Sequence, residues 1–246
     1  MGSHSDNISR RERVAIPLLV LGIYGLYYPV NLYTNTLPYY SPISIVDRTL
    51  PLLPEWIIVY AFIYLLGCVP AALINNRVLF HRMAFAYVAV QIFSFAVFIL
   101  APVRMTLRPD SVVVDSFLTW GLQLCYFLDN PVNCCPSLHV AVSVLGALCT
   151  NRVDHALGKI TLITGFLISL STLLVKQHLL IDVVLGFTIA AVAYRLLVTP
   201  CEMSPLTHSE KREGRRWVLV LTSLYASMVA VLYGAYSSGW NPWETP

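Results

Sequence analysis

Two short segments of the chain contain the residue types that carry out acid–base and nucleophilic chemistry. Residues 133–139 read NCCPSLH, and residues 176–182 read KQHLLID. Together they hold two histidines and a carboxylate that enters an apolar run. Because an imidazole has an unperturbed pKa of about 6.5, two histidines can divide the roles of acid and base near neutral pH.

The first segment has the features of a helix start. Pro136 suits the first position of a helix, where its missing N–H is no loss. Free backbone donors and the positive end of the helix dipole would then surround Ser137 and create an anion site. We therefore predict that Ser137 binds phosphate and that His139 is catalytic.

The second segment pairs a histidine with a carboxylate. His178 and Asp182 are four residues apart, so on a helix they would share one face. The carboxylate would then fix the orientation and tautomer of the imidazole. A carboxylate inside an apolar run is costly unless it is paired or functional. We predict that His178 is a catalytic nucleophile and that Asp182 orients it.

The composition indicates which kind of protein positions these segments. Of the 246 residues, 57% are hydrophobic and 12% are charged, and the mean hydropathy is +0.68. These values are not those of a soluble globule. A spanning helix needs about 20 mostly apolar residues. We predict an all-α, polytopic membrane protein with six or seven spans, near residues 14–33, 56–73, 83–103, 135–150, 160–175, 179–198 and 217–236.

The placement of basic residues predicts a topology. If the N-terminus is cytoplasmic, all but four of the 16 lysines and arginines lie in cytoplasmic segments, as the positive-inside rule requires. The other four are Arg48, Arg104, Arg108 and Lys176. The same topology puts both histidine segments on the extracytoplasmic side, facing the periplasm or a lumen. We predict that Arg104, Arg108 and Lys176 bind phosphate there.

The chain divides into four predicted parts. They are a cytoplasmic tail at residues 1–13, a membrane-embedded catalytic core at 14–198, a cytoplasmic linker at 199–216, and an additional span with an outer tail at 217–246.

Two predicted outer segments, residues 34–55 and 104–132, are too long for simple turns. Within the second, residues 111–128 are apolar but interrupted by an aspartate, which favours an interfacial or re-entrant helix. Cys125 lies in this stretch. On an oxidising side of the membrane it could form a disulfide with one of the two adjacent cysteines of the first segment, and the sequence leaves that pairing open.

The two segments resemble the second and third signatures of the type-2 phosphatidic acid phosphatase superfamily. Residues 136–139 match P-S-x-H, and Ser171, His178 and Asp182 match S-R-x5-H-x3-D. The resemblance covers residues 50–195. It implies a six-helix membrane core, to which the last span is an addition. It also implies a metal-independent mechanism through a phosphohistidine, with no cofactor.

Two positions depart from the superfamily pattern. Thr172 replaces the arginine of the third signature, and the first signature, K-x6-R-P, survives only as Arg108-Pro109, with Ala101 at the lysine position. Arg104 and Lys176 could supply the missing charge. A threonine here looks more like the branch of inositol phosphorylceramide synthases and sphingomyelin synthases. That branch transfers a head group instead of hydrolysing a monoester.

We favour a lipid phosphatase, with lipid head-group phosphotransfer as the alternative, because cavity shape and water access select the acceptor. The predicted partners are a lipid phosphate or phospholipid substrate and the surrounding membrane lipids, with no nucleic acid. The identity of the lipid and the oligomeric state are left open.

Three other functions compete with this one. A Ser-His-Asp triad is disfavoured because Ser137 and His139 are two residues apart and would not face each other on a helix. A metal site made of His139, His178 and Asp182 would lose its metal to chelators. A transporter, the non-enzyme alternative, would carry ionisable residues near the middle of several spans. Here those residues cluster at one surface.

Overall fold

The computed structural model describes residues 7–202 and 206–244, and this part of the chain is helical without a β-strand. The all-α prediction is confirmed for these residues. A 3-10 turn, Pro54–Trp56, leads into α4, and a π-helical turn, Tyr194–Val198, continues α11. The α-helices are α1 (Arg10–Gly25), α2 (Tyr27–Thr34), α3 (Ile45–Thr49), α4 (Ile57–Ala61), α5 (Ile63–Leu66), α6 (Val69–Leu73), α7 (Arg77–Leu100), α8 (Phe117–Leu128), α9 (Leu138–Val153), α10 (His155–Leu174), α11 (Leu180–Ala193) and α12 (His208–Ser237).

Six helical stretches of the described chain are long and apolar enough to cross a membrane, as an integral multi-pass protein requires. Each has at least 18 residues and at most two charged residues in its most apolar window. Helices suit lipid because their backbone groups bond one another. The stretches are Arg10–Thr34, Pro54–Leu73, Arg77–Leu100, His155–Leu174, Leu180–Val198 and His208–Ser237.

The predicted span at residues 135–150 takes a different form. It is α9, which begins at Leu138 and has only 16 residues, fewer than a spanning helix usually needs. Most of its side chains are buried because α10 and α11 pack along it. A helix that is apolar on all sides suits this central position. The bundle is thus built from six long stretches around one short core helix.

The first turns of α9 and α11 lie in close contact. A Cβ atom added at Gly186 would lie 2.7 Å from the carbonyl oxygen of Ser137 and 3.0 Å from the Cβ atom of Val140. The backbone N–H of Ser137 donates to the carbonyl oxygen of Asp182 over 3.0 Å. The starts of the two helices are therefore held side by side.

We expect Gly186→Ala to lower the thermal stability of the protein in detergent. The added methyl group would clash with backbone atoms at the start of α9, which cannot rotate away as a side chain can. Overpacking of this kind lowers the free energy of unfolding by about 1–3 kcal/mol. Thermal unfolding followed by circular dichroism measures the effect. Gly22→Ala is the matched control, because a Cβ atom there has no neighbour within 4 Å. Equal melting temperatures for the two variants would contradict the close helix contact.

The last helix begins inside the predicted linker. α12 starts at His208, where Thr207 and Glu210 form a capping box. Residues 203–205 lie outside the described part of the chain. No residue in the most apolar 18-residue stretch of α12 is buried, and the helix contacts α5, α6 and α8. It therefore packs on the outside of the bundle.

The two long connecting segments cover the end of the bundle where α9 and α11 begin. The backbone N–H of Tyr40 donates to the carbonyl oxygen of Pro102 over 2.8 Å, and that of Cys134 donates to Val103 over 3.3 Å. The predicted helix at residues 111–128 is shorter, because α8 starts after the capping residue Ser116. These segments form a cap above the two helix starts.

Candidate active site

The start of α9 differs from the predicted one. Ser137 is the N-cap residue, and its hydroxyl oxygen accepts a hydrogen bond from the backbone N–H of Val140 over 3.3 Å. Pro136 therefore precedes the helix, and the prediction that it is the first helical residue is wrong. A capping serine satisfies one of the free N–H groups of the first turn. Because the N–H of Ser137 also bonds Asp182, both groups position helices instead of pointing freely at an anion.

The His178–Asp182 pair forms, but not on one helix face. α11 begins at Leu180, so His178 precedes it. Asp182 Oδ2 accepts from the backbone N–H of Leu179 over 2.7 Å, and His178 Nδ1 lies 3.6 Å from the same oxygen. A carboxylate in the first turn is favoured by the free N–H groups and the helix dipole. The predicted proximity is present, whereas the predicted helical geometry is wrong.

A tight turn between α10 and α11 presents His178. The carbonyl oxygen of Thr172 accepts hydrogen bonds from the backbone N–H groups of Gln177 (2.9 Å) and His178 (3.1 Å). Lys176 adopts a φ of 50°, in the left-handed region that such a turn requires. The Thr172 hydroxyl donates to the carbonyl oxygen of Ser169 over 2.8 Å. Thr172, which stands where the S-R-x5-H-x3-D pattern has an arginine, thus stabilises the turn.

Four buried side chains form a continuous polar chain. His139 Nδ1 lies 3.0 Å from His178 Nε2, and His139 Nε2 lies 2.6 Å from the hydroxyl oxygen of Tyr60. Asp182 closes the other end beside His178 Nδ1. Each of the four side chains belongs to a residue no more than 9% exposed. The structure therefore brings the three predicted catalytic residues together.

The sequence of contacts along this row of polar side chains indicates which ring nitrogens carry protons when both histidines are neutral. With Nδ1 of His178 facing a carboxylate, that nitrogen carries the proton and Nε2 keeps its lone pair. His139 Nδ1–H then donates to His178 Nε2, and the Tyr60 hydroxyl donates to His139 Nε2. His178 Nε2 is the basic atom of the site. It is the atom that could attack an electrophile.

Tyr60 is the member of the chain that sequence reasoning missed. It is one of 14 tyrosines and stands in an apolar run without a polar neighbour of special spacing. Its contact with His139 joins residues 79 positions apart. Only the tertiary structure, which brings the Tyr60 side chain to His139, shows the pair.

We expect Tyr60→Phe to lower kcat by about 10- to 100-fold, because a hydrogen bond to a charged group is worth about 1.5–3 kcal/mol. The hydroxyl can donate to neutral His139 and accept from the protonated ring, so it supports both states. Steady-state kinetics would show the loss in kcat with little change in KM. Tyr28→Phe is the matched control, because Tyr28 lies on α2 and is 54% exposed. An unchanged kcat in Tyr60→Phe would remove the residue from the site.

Arg108, like Arg104 with its Nε, keeps a buried guanidinium nitrogen that has no hydrogen-bond partner among the described residues. Its guanidinium carbon lies 4.0 Å from the centre of the Tyr126 ring, and Nη2 donates to the Tyr126 carbonyl oxygen over 2.5 Å. Nη1 is buried without a hydrogen-bond partner among the described residues. Burial raises the pKa of Asp129 to about 6, and a hydrogen bond from Tyr27 and the charges of Arg108 and His178 oppose that rise. Asp129 therefore lies within electrostatic range of both Arg108 and His178.

The other two predicted phosphate ligands, Arg104 and Lys176, donate hydrogen bonds to the cap. Arg104 Nη2 donates to Asn35 Oδ1 over 2.6 Å. Lys176 Nζ donates to the carbonyl oxygens of Asp47 (3.0 Å) and Leu50 (2.7 Å). Burial lowers the pKa of Lys176. Both side chains are engaged with the segment that follows α2, and the structure does not bring them to the histidine pair.

The cysteines beside the site are free thiols. Cys125, Cys134 and Cys135 form no disulfide, so the pairing left open by the sequence does not occur in the described chain. Gln177 Nε2 donates to Cys125 Sγ over 3.2 Å. Ligand atoms of Cys134, His178 and Asp182 all lie within 4.8 Å of one another. A candidate metal-binding group among the described residues thus contains Cys134, whereas the metal site considered from the sequence contained His139.

Comparison with known proteins assigns no family to the chain. No protein-family model matches it, and no curated protein matches it at a significant score. Function is therefore inferred from the geometry of the site and from the two sequence segments.

Proposed function

We propose that the protein is an integral-membrane lipid phosphatase, similar to the type-2 phosphatidic acid phosphatases, that works through a phosphohistidine intermediate. The observation that carries the proposal is the 3.0 Å contact between His139 Nδ1 and His178 Nε2, with Asp182 behind the second ring. This arrangement supplies a nucleophile, its orienting carboxylate and an adjacent acid–base group.

The reaction proceeds in two displacements. In the first, His178 Nε2 attacks phosphorus, the bond from phosphorus to the lipid oxygen breaks, and protonated His139 gives its proton to the departing alkoxide. In the second, neutral His139 takes a proton from water, the oxygen bonds to phosphorus, and the bond from phosphorus to His178 breaks. Asp182 stabilises the positive charge on His178 between the two steps.

Two buried donors could hold the phosphoryl oxygens. Arg108 Nη1 and Asn133 Nδ2 both lack a hydrogen-bond partner among the described residues. A guanidinium and an amide N–H suit the charge that develops on equatorial oxygens, and a site with little water strengthens this interaction. We assign charge stabilisation mainly to Arg108.

An apolar cavity supports a lipid as the substrate. Its volume is about 810 Å³, within the range of about 300–1,000 Å³ for ligand pockets. It is lined mostly by side chains of α1, α7 and α12, with fewer from α5 and α6, and Arg13 and Glu213 line its end remote from the histidine pair. Tyr64 and Val142 line it as well. Tyr64, in α5, comes four residues after Tyr60, and Val142 lies one turn after His139 on α9. A hydrocarbon chain in the cavity would therefore extend from near the reacting group towards the end of the bundle that carries Arg13 and Glu213.

The charge distribution supports an extracytoplasmic location of the site, with the N-terminus in the cytoplasm. Arg13, Arg77, Arg152 and Arg215 all lie at the helix ends remote from the histidine pair. That end is the cytoplasmic one by the positive-inside rule.

Head-group transfer remains the second candidate because the site is enclosed. The cap and the helix starts leave His178 4% exposed and Asp182 fully buried. Restricted access of water favours a lipid alcohol as the acceptor. The phosphoryl head group would pass to His178 in the first displacement, and the lipid alcohol would take it from His178 in the second.

The test uses the purified protein in detergent with EDTA. It is offered lipid phosphomonoesters and, separately, head-group donors with ceramide or diacylglycerol, while free phosphate and new phospholipid are measured together. We expect phosphate release that EDTA does not abolish and that His178→Ala removes. New phospholipid without phosphate would establish the transferase instead. If neither product depends on His178, the phosphohistidine mechanism fails and a transporter becomes the function to test.

A further inference from the structure

We propose that Cys134, His178 and Asp182 bind a thiolate-preferring divalent metal such as Zn²⁺, and that the bound metal switches off the active site. The binding site follows from the geometry of the three side chains alone. The inhibitory consequence rests on the proposed function.

The spacing of the ligand atoms fits a metal better than a direct hydrogen bond. His178 Nδ1 and Asp182 Oδ2 are 3.6 Å apart, which is longer than an ordinary N–H···O hydrogen bond of about 2.7–3.2 Å. Two ligands of a tetrahedral zinc ion, each about 2.1 Å from the metal, lie about 3.4 Å from each other. The Cys134 sulfur is within 4.8 Å of both partners.

Two polar atoms of the ligand residues are buried and unpaired. They are His178 Nδ1 and Asp182 Oδ1, the second oxygen of the carboxylate, and neither has a hydrogen-bond partner among the residues that the structure describes. The Cys134 thiol donates over long distances, 3.6 Å to the carbonyl oxygen of Pro131 and 3.8 Å to that of Gln177. Buried polar atoms are normally satisfied, so unpaired ones at a single point indicate a missing partner.

The surroundings already orient the ligands. The backbone N–H of Leu179 donates to Asp182 Oδ2 and fixes the carboxylate. The other ring nitrogen of His178 contacts His139 over 3.0 Å, which is the kind of outer contact that metal-ligating histidines make. A donor set of sulfur, nitrogen and one carboxylate selects zinc and similar ions over Mg²⁺ or Ca²⁺.

Metal binding would remove the nucleophile by moving a proton. The metal replaces the thiol proton of Cys134, which is released to solvent, and takes the lone pair of His178 Nδ1. The bound imidazole is neutral, so its proton then resides on Nε2 and donates to His139 Nδ1. The proton of His139 moves to its own Nε2, which donates to the Tyr60 hydroxyl oxygen. A protonated Nε2 has no lone pair with which to attack phosphorus. Chelation reverses the exchange and restores the free nitrogen.

The binding test uses the full-length protein in detergent, with a phosphine reductant that leaves thiols free and binds zinc weakly. Co²⁺ is the spectroscopic probe, because tetrahedral cobalt with a thiolate ligand gives visible bands and a near-ultraviolet charge-transfer band. We expect these bands in the wild type and their loss when Zn²⁺ displaces cobalt. Cys134→Ala and Cys134→Ser should lack the charge-transfer band. Cys149→Ala, a buried thiol in the second half of α9, should keep it.

The inhibition test measures phosphate release against Zn²⁺, with each variant compared with its own metal-free rate. Wild-type protein should be inhibited and recover fully in EDTA. For half-maximal inhibition, both Cys134 variants should need at least about 10- to 100-fold more Zn²⁺ than the wild type. Loss of a residue that only contacts a metal ligand already lowers metal affinity by that factor. A charge-transfer band that persists in folded Cys134→Ser, or no band in the wild type, would overturn the site. A normal band in a protein without phosphatase activity would support the metal site and refute only the proposed function.

Discussion

Replacing His178 with glutamine is expected to lower the rate of phosphate release by about 10⁴- to 10⁶-fold, as loss of a catalytic nucleophile does in other enzymes. Glutamine keeps a polar side chain of similar length but has no basic nitrogen. Because His178 Nε2 is the only atom of the buried chain with both a lone pair and an orienting carboxylate behind the ring, no neighbour within the described site replaces it. Phosphate release from a lipid phosphomonoester measures the loss.

A trapping experiment distinguishes this role from a structural one. Brief incubation with a substrate carrying radioactive phosphate should label the wild-type protein with an acid-labile, base-stable phosphate, and His178→Gln should stay unlabelled. His155→Gln is the matched control, since His155 is exposed at the start of α10, at the other end of the bundle. Equal labelling of His178→Gln and the wild type would place the covalent intermediate, if any, on another residue.

The second large effect is expected at Arg108. Arg108→Gln should lower kcat by about 10²- to 10³-fold, the usual cost of removing one preorganised donor from a developing oxyanion. The variant loses the buried Nη1 donor that has no partner in the described chain. The same measurement of kcat and KM on one lipid phosphomonoester shows the effect.

Arg104→Gln provides the comparison, because both arginines belong to the same predicted phosphate-binding set. Arg104 already donates to Asn35, so its loss should weaken the cap more than the chemistry. We expect a fall in kcat below about 10-fold, on the scale of one neutral hydrogen bond, together with a lower melting temperature. If Arg104→Gln loses more activity than Arg108→Gln, the assignment of the two cations is reversed.

Local sequence determined the helices of this protein. In a lipid environment the backbone must satisfy its own hydrogen bonds, so a long apolar run forms a helix almost regardless of its neighbours. The five predicted spans outside α9 and α12 therefore lie close to observed stretches. The start of α9 was harder to place from the sequence, because capping by Ser137 and the contact with Gly186 determine it.

The sequence also singled out His139, His178 and Asp182, because a carboxylate that enters an apolar run is costly unless it is paired or functional. Tertiary structure decided how they meet. The 3.0 Å contact between the histidines joins residues 39 positions apart, and Tyr60 reaches His139 from another helix. It also decided that Arg104 and Lys176 donate hydrogen bonds to the cap, whereas Arg108 donates to Tyr126. Such contacts depend on how the helices pack, and no pattern within one segment encodes the position of a partner on another.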